Sequence, residues 1–191
     1  LVSGSISIRQ MFEFIRGDVY RDRIRRLREA MDAGDTVKAD HMKKQLPYCT
    51  ITATYAKERL AYSLDTYQDI ITLDCDDMPA EKIPEFRQLV NDCPDTLGSF
   101  VSPRMHGLKI FVYLTGNEAE ALRTELNALG TVDFLTLERY HHRIYALASS
   151  QYEKLLNTKV DTSGSDPGRG FFVSHDPDAF LSTERLENVK P

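Results

Sequence analysis

The chain reads Ile70-Ile71-Thr72-Leu73-Asp74-Cys75-Asp76-Asp77 near its middle, an apolar run followed directly by acidic residues. The first four residues are β-branched or aliphatic, which is typical of a buried strand at the centre of a sheet. Alternate side chains of an extended segment share a face, so Asp74 and Asp76 are expected to point the same way. The segment therefore predicts a central strand that ends in two neighbouring carboxylates.

This acidic pair needs a counter-charge. Two carboxylates held close together repel, and one of them takes up a proton unless a cation lies between them. Mg²⁺ or Mn²⁺ is the expected cation, because both prefer hard oxygen ligands. The alternative is an acidic turn whose aspartates cap the next helix, and the motif alone does not separate the two. Asp77 is expected to face away from the pair and to cap a helix near Pro79.

The segments around this strand alternate between helical and extended patterns. A strand is predicted over 49–54, a helix over 80–91, and a hairpin of strands over 97–102 and 108–114. Two further helices are predicted, one beginning at Asn117 and one over 135–156, followed by a short strand over 169–174. Strands separated by helices, with one hairpin among them, predict an α+β domain with a mixed or antiparallel sheet packed by helices.

The N-terminal part has a different pattern, with many charges and helical spacing. Two helices are predicted between residues 20 and 44, with Gly34 ending the first and Asp35 capping the second. Pro47 ends this arm, so the chain is expected to divide into a helical extension over 1–46 and a sheet-containing domain over 47–191. The charges are interpreted as a solvated helix face, with a DNA-binding arm as the alternative.

A second group of candidate residues lies in the hairpin segment Ser102-Pro103-Arg104-Met105-His106-Gly107-Leu108-Lys109. Strand alternation puts Lys109 on the face opposite Leu108 and predicts that it projects into the open face of the sheet. A lysine there is suited to a triphosphate as a compact point charge, and Arg104 and His106 at the turn are expected to add phosphate contacts. The alternative is a polar hairpin tip with an exposed lysine.

A third group follows the long predicted helix. Asp161 comes after a short extended segment and is a candidate third carboxylate for the metal. Arg169 leaves a Gly/Pro turn and is a candidate for a bidentate phosphate contact. Ser174 is expected either to touch the nucleotide or to stabilise a turn with Asp176. A loop of turn-forming residues with no ligand is the alternative, since Asp-Pro-Gly and Asp-Pro-Asp both favour turns.

Composition excludes several classes of protein. The formal net charge of −5 argues against a surface that is basic throughout, although a local basic groove is enough to bind nucleic acid. No apolar run reaches the roughly 20 residues that span a bilayer, so no membrane partner is expected and a cytoplasmic location is predicted. The three cysteines lack paired zinc-site spacing, which favours reduced core thiols. The sequence contains neither a P-loop motif nor the Gly-x-Ser-x-Gly element of serine hydrolases.

Taken in order along the chain, these groups resemble a known pattern. An Asp-x-Asp after a strand, a Ser…Gly-Leu-basic hairpin and a late Asp followed by an Arg resemble the three motifs of the archaeo-eukaryotic primase superfamily. More narrowly, the chain resembles the VirE amino-terminal domain family of Bacteroides mobile elements over residues 43–180. The most specific parts are Ser102-Pro103, Gly107-Leu108-Lys109-Ile110-Phe111-Val112 and the final Ser174-His175-Asp176-Pro177-Asp178.

The resemblance implies a primase-polymerase-like α+β catalytic domain that uses Mg²⁺ or Mn²⁺. It assigns Asp74, Asp76 and Asp161 to the metal, and Ser102, Lys109 and Arg169 to the nucleotide. The implied substrates are NTP or dNTP with single-stranded or primed DNA, in the replication of a mobile element. A helicase-type ATPase domain in the parent protein is a further implied partner.

Two positions depart from the family pattern. Arg104-Met105 stands where the second-motif turn usually has a small Ser-Gly pair, and Lys109 stands where many primases have histidine. Lysine supplies a cation but not a group that accepts a proton at neutral pH. The leading hypothesis is therefore a metal-dependent nucleotidyltransferase. Its rivals are a non-catalytic DNA- or partner-binding module on a degenerate primase fold and a metal-dependent nuclease.

Overall fold

The computed structural model describes residues 4–189 and has the predicted α+β architecture. The helices are α1 (Ile8–Arg16), α2 (Arg21–Asp32), α3 (Thr36–Lys44), α4 (Ile83–Asp92), α5 (Asn117–Asn127), α6 (Phe134–Leu156) and α7 (Thr183–Glu187). The strands are β1 (Tyr48–Cys49), β2 (Ala53–Tyr55), β3 (Leu64–Tyr67), β4 (Ile71–Cys75), β5 (Thr96–Val101), β6 (Leu108–Val112), β7 (Phe171–Phe172) and β8 (Phe180–Leu181). Short 3-10 turns cover Ala61–Ser63, Ala80–Lys82 and Thr162–Ser165.

The main sheet contains four antiparallel strands in the order β4-β6-β5-β8. The predicted hairpin is confirmed as β5 and β6, and β4 pairs with β6 so that Asp74 lies opposite Lys109. The prediction that β4 is central is wrong, because it stands at one end of the strand order. Its edge is nevertheless covered, since the loop after α6 runs beside it and the Asp161 N–H donates to the Asp74 carbonyl at 2.8 Å.

Helices cover both faces of this sheet. Leu108, Ile110 and Val112 of β6 pack with α4, α5 and α6 in one core cluster. Phe111 points to the opposite face, where the fully buried Phe12 of α1 meets its ring edge-on at a centroid distance of 6.0 Å. The expectation of an open face beside Lys109 is therefore wrong, because α1 closes most of it.

Helix α1 was not predicted, although local signals for it exist. Ser7 caps it in a capping box with Gln10, which satisfies backbone N–H groups at the start of the helix. Met11, Phe12 and Ile15 follow at helical spacing and are all buried. The packing of this short helix on the sheet supplies the stability that nine residues lack on their own.

Helices α2 and α3 match the two predicted N-terminal helices. Ile24 and Leu27 are fully buried, and the Asp35 side chain caps α3 by accepting from the Lys38 N–H at 3.0 Å. Arg28 ties this pair to the rest of the fold by donating to the carbonyls of Pro103 and His175. The division of the chain at residue 47 stays a prediction. Among residues 4–189, no helix combines the length and the apolar composition that crossing a membrane requires.

The buried His141 is expected to make stability depend on pH. Its Nε2 donates to the Gly164 carbonyl at 3.0 Å, so Nδ1 accepts from the Tyr67 hydroxyl at 3.0 Å. Burial lowers the pKa of His141 from 6.5 to about 4. Between these values the unfolded chain binds a proton that the folded chain excludes, so the free energy of unfolding should fall by about 3 kcal/mol as pH drops from 6.5 to 4.

Urea unfolding of the wild type and His141→Gln at several pH values measures this contribution. The variant should lose stability less steeply than the wild type over that window. His142→Gln is the matched control, because His142 is the exposed neighbour on the same helix and its variant should keep the wild-type slope. Equal slopes for His141→Gln and the wild type would contradict the prediction.

Candidate metal and phosphate site

Three carboxylates converge at the end of β4. Asp74 is in the strand, Asp76 follows it, and Asp161 comes from the loop that runs along the strand edge. One oxygen from each of them lies within 4.8 Å of the others. This spacing and the hard oxygen ligands fit a divalent cation such as Mg²⁺ or Mn²⁺. The predicted convergence is thus present, and the ligand role of the three residues stays a prediction.

The carboxylates are held in place by their surroundings. The Asp161 carboxylate accepts from the Ser163 hydroxyl at 2.7 Å and from the Ser163 N–H at 3.0 Å. The Tyr145 hydroxyl donates to the Asp161 carbonyl at 2.6 Å. Asp74 Oδ1 is buried and has no hydrogen-bond partner within residues 4–189. A buried carboxylate oxygen without a donor is costly, and a bound cation would satisfy it.

The pKa values of Asp76 and Asp161 are shifted in opposite directions. Burial raises the pKa of Asp76, with Asp161 and Asp77 adding to the increase and Lys43 opposing it. Hydrogen bonds from Ser163 lower the pKa of Asp161. The increase that Asp161 adds to the pKa of Asp76 reflects the repulsion between two carboxylates held close together. A cation among them would favour the ionised form of both.

Lys109 provides one positive charge inside this group. It is only 7% exposed, contacts Asp74 across the β4–β6 pair and lies 3.9 Å from Asp76 Oδ1. Burial lowers the pKa of Lys109, and Lys43 and Arg169 act in the same direction. The contact with Asp74 acts in the opposite direction, because a carboxylate favours the charged ammonium.

A cleft of about 230 Å³ opens beside the carboxylates. Its lining is mostly polar and carries charges of both signs. The lining residues are Lys43, Tyr48, Asp74, Asp76, Asp77, Ser102, Pro103, Arg104, His106, Lys109, Arg169, Gly170, Phe171 and Phe172. Seven of the predicted site residues therefore line one cleft. They are Asp74, Asp76, Ser102, Arg104, His106, Lys109 and Arg169.

The basic residues of the cleft differ in whether they already contact a carboxylate of the protein. Arg169 lies 3.8 Å from Asp161, with both side chains partly exposed. Arg104 is drawn toward α3 by a contact with Asp40. His106 is exposed at the hairpin tip, and its carbonyl accepts from the Met78 N–H. A phosphate entering the cleft therefore meets two arginines and two lysines around the acidic group.

Ser174 is placed elsewhere. It is fully buried, does not line the cleft, and its hydroxyl has no partner within residues 4–189. The backbone beside it continues away from the cleft, because the Val173 N–H donates to the Pro47 carbonyl and Val173 packs with α2. The predicted nucleotide contact of Ser174 does not fit this position.

Sequence reasoning missed part of the lining. Asp77 was expected to face away, but its left-handed backbone, with φ of 56°, breaks the strand alternation and turns it to the cleft. Lys43, Tyr48 and Phe172 come from α3 and the β1–β7 ribbon. Pro47 and the short apolar segment beside it indicated a strand of this ribbon. The sequence did not indicate which segment that strand would pair with.

Gly107 permits the close approach of the hairpin to the acidic segment. A Cβ at this position would lie 2.3 Å from the Cys75 carbonyl and 3.1 Å from Asp76. Cys75 itself is fully buried in the core, and burial raises the pKa of its thiol to about 12. The thiol between the two aspartates is therefore a core group, as the composition had favoured.

A family model describes most of this structure. The model of the BT4734-like, N-terminal domain matches residues 41–181, a range that includes every residue of the carboxylate group and all four strands of the main sheet. The chain belongs to this family. The BT4734-like match begins within α3 and ends in β8, so α1 and α2 precede it. The match shows no link to VirE or to the primases. No curated protein and no solved structure matches the chain.

Proposed function

We propose that this BT4734-like domain is a metal-dependent nucleotidyltransferase of the primase-polymerase type. The observation that carries the proposal is the convergence of Asp74, Asp76 and Asp161 to within 4.8 Å. Convergence of three carboxylates from two distant segments is unfavourable without a cation, because like charges repel at this distance. A cleft with several basic side chains beside such a group suits a substrate with phosphates.

The residues divide into two functions in this proposal. Asp74, Asp76 and Asp161 would hold Mg²⁺ or Mn²⁺, and a metal bound there would supply activation of a 3′-hydroxyl and neutralisation of charge on pyrophosphate. Lys109 and Arg169 hold the triphosphate of an NTP or dNTP, and Arg104 adds a contact when it leaves Asp40. Ser102 and His106 line the same cleft and complete its hairpin wall.

The biological setting is part of the proposal. The order of the three motifs supports membership of the VirE amino-terminal group within the primase superfamily. The substrate would then be single-stranded or primed DNA, copied during replication of a mobile element. A helicase-type ATPase domain in the same parent protein would supply the unwound strand.

A primer-extension assay tests the proposal. The protein is incubated with a primed DNA template, labelled NTP or dNTP, and Mg²⁺ or Mn²⁺. Extension is expected only with the metal, and it should fall to the metal-free background in Asp161→Asn. Tight metal-independent binding of DNA with no extension would overturn the assignment, and metal-dependent shortening of the strand would replace it with a nuclease.

Two observations favour the second candidate, a non-catalytic DNA- or partner-binding module. The Lys109 ammonium already contacts Asp74, so part of the negative charge is neutralised without a metal. Met105 also occupies a left-handed backbone, with φ of 62°, at the turn where primases usually have glycine. This module would bind nucleic acid equally well after chelation of divalent metal, which the same assay measures.

A further inference from the structure

An aromatic corner stands at one side of the cleft. Tyr48 of β1 and Phe172 of β7 face each other across the ribbon, with ring centroids 5.0 Å apart and an edge-on arrangement. Tyr48 is 41% exposed, although the ring is large and mostly apolar. Both residues line the cleft that contains Asp74 and Lys109. The corner is thus an exposed apolar part of a cleft whose lining is mostly polar.

The Tyr48 ring is fixed before any ligand arrives. Its hydroxyl accepts from the Gly170 N–H at 3.0 Å and from Arg59 Nη1 at 3.2 Å. The Arg59 guanidinium carbon lies 5.1 Å from the ring centroid. A Cβ on Gly170 would lie only 2.5 Å from the ring, so the backbone there is packed tightly against it. An exposed aromatic ring held this firmly loses little conformational entropy when something stacks on it.

Cations surround the corner. Lys43 Nζ lies 5.5 Å from the centre of the Phe172 ring, and Lys43 also lines the cleft. Arg59 reaches over from the loop after β2 and donates to the Gly168 carbonyl at 2.6 Å. Aromatic rings interleaved with basic side chains are the arrangement that proteins use to stack a base and hold its phosphates.

We infer that Tyr48 is a stacking platform for a nucleobase. The inference rests on the proposed function, which places a triphosphate beside Lys109 and Arg169, and it adds the recognition of the base. A base has an apolar face that the charged part of the cleft cannot accommodate, whereas the ring of Tyr48 can. The base belongs either to a free nucleotide or to a nucleic acid strand, and both present the same aromatic face.

The absence of tryptophan from the sequence allows a direct test. Tyr48→Trp creates a single tryptophan in the cleft, and its fluorescence should be quenched by ATP with Mn²⁺ but not by inorganic tripolyphosphate with Mn²⁺. Tyr62→Trp is the matched control, because Tyr62 is 76% exposed and does not line the cleft. Equal quenching of both variants by ATP would overturn the inference.

Affinity measurements by calorimetry provide the second readout. Tyr48→Ala should bind ATP roughly 5- to 150-fold more weakly than the wild type, the range that loss of one stacked base produces. Tyr48→Phe keeps the ring and should retain most of the affinity, and tripolyphosphate should bind the wild type and both variants alike. An unchanged ATP affinity in a folded Tyr48→Ala would overturn the inference while leaving the phosphate site intact.

A short oligothymidylate separates the two sources of the base. Quenching of Tyr48→Trp by the oligonucleotide, with none by ATP, would support the platform and assign it to a strand. Quenching by ATP alone would assign it to the incoming nucleotide. Failure of tripolyphosphate to bind the wild type would count against the proposed phosphate site, whereas base-dependent quenching in the same protein would still support Tyr48 as the platform.

Discussion

Replacing Asp74 with asparagine is expected to lower the affinity of the carboxylate group for Mn²⁺ by more than roughly 100-fold, because loss of a group that merely supports a ligand already costs about 10- to 100-fold. Asp74 is the least exposed of the three carboxylates, and its Oδ1 has no hydrogen-bond partner within residues 4–189. Asparagine keeps the size of the side chain but removes the charge that attracts the metal. Titration of Mn²⁺ followed by electron paramagnetic resonance or calorimetry measures the change.

Two variants make this result specific. Asp92→Asn removes an exposed carboxylate at the end of α4, outside the cleft lining, and should bind Mn²⁺ as the wild type does. Lys109→Met removes the ammonium that contacts Asp74 and should not abolish binding, since the three carboxylates remain. Wild-type Mn²⁺ affinity in a folded Asp74→Asn would refute the metal site.

Replacing Asp176 with alanine is expected to lower the free energy of unfolding by about 3 kcal/mol or more, the usual cost of removing one partner from a buried ion pair. Asp176 is 5% exposed and forms two hydrogen bonds with Arg87, at 2.9 and 3.2 Å. It also accepts from the Val101 N–H at 2.8 Å. The substitution therefore removes the carboxylate partner of a guanidinium, which keeps only the Asp178 carbonyl, and the acceptor of a strand N–H.

Equilibrium unfolding in urea measures this loss as a lower transition midpoint. Asp18→Ala is the matched control, because the Asp18–Arg21 pair is also an Asp–Arg contact but both side chains are largely exposed. Ion pairs between solvent-exposed side chains contribute little to stability, so the control should have a transition midpoint close to that of the wild type. A midpoint for Asp176→Ala equal to that of Asp18→Ala would contradict a structural function for the buried pair.

Several features of this fold are encoded locally and could be predicted. The apolar run before Asp74 predicted a buried strand, and the β5–β6 hairpin and the helices α2, α3, α4, α5 and α6 followed from apolar periodicity. The common direction of Asp74 and Asp76 required only the two-residue repeat of a strand.

The site depended more on distant parts of the chain. Period-two alternation placed Lys109 on one face of β6, but only the antiparallel register placed it opposite Asp74. Asp161 follows Asp74 by 87 residues in the sequence. It reaches the acidic pair because its N–H donates a hydrogen bond to the Asp74 carbonyl at the edge of β4. Such pairings are chosen by the total burial and hydrogen bonding of both segments, which no short window of sequence contains.

The sequence alone was sufficient for the α+β class, the hairpin and the candidate carboxylates, because repeat period and residue chemistry are properties of neighbouring residues. The tertiary structure was needed to cover one face of the sheet with α1, to bury Ser174, to turn Asp77 into the cleft and to place Tyr48 beside the carboxylates. Each of these outcomes depends on which distant surfaces exclude water from one another, and that choice is made by the whole chain as it packs.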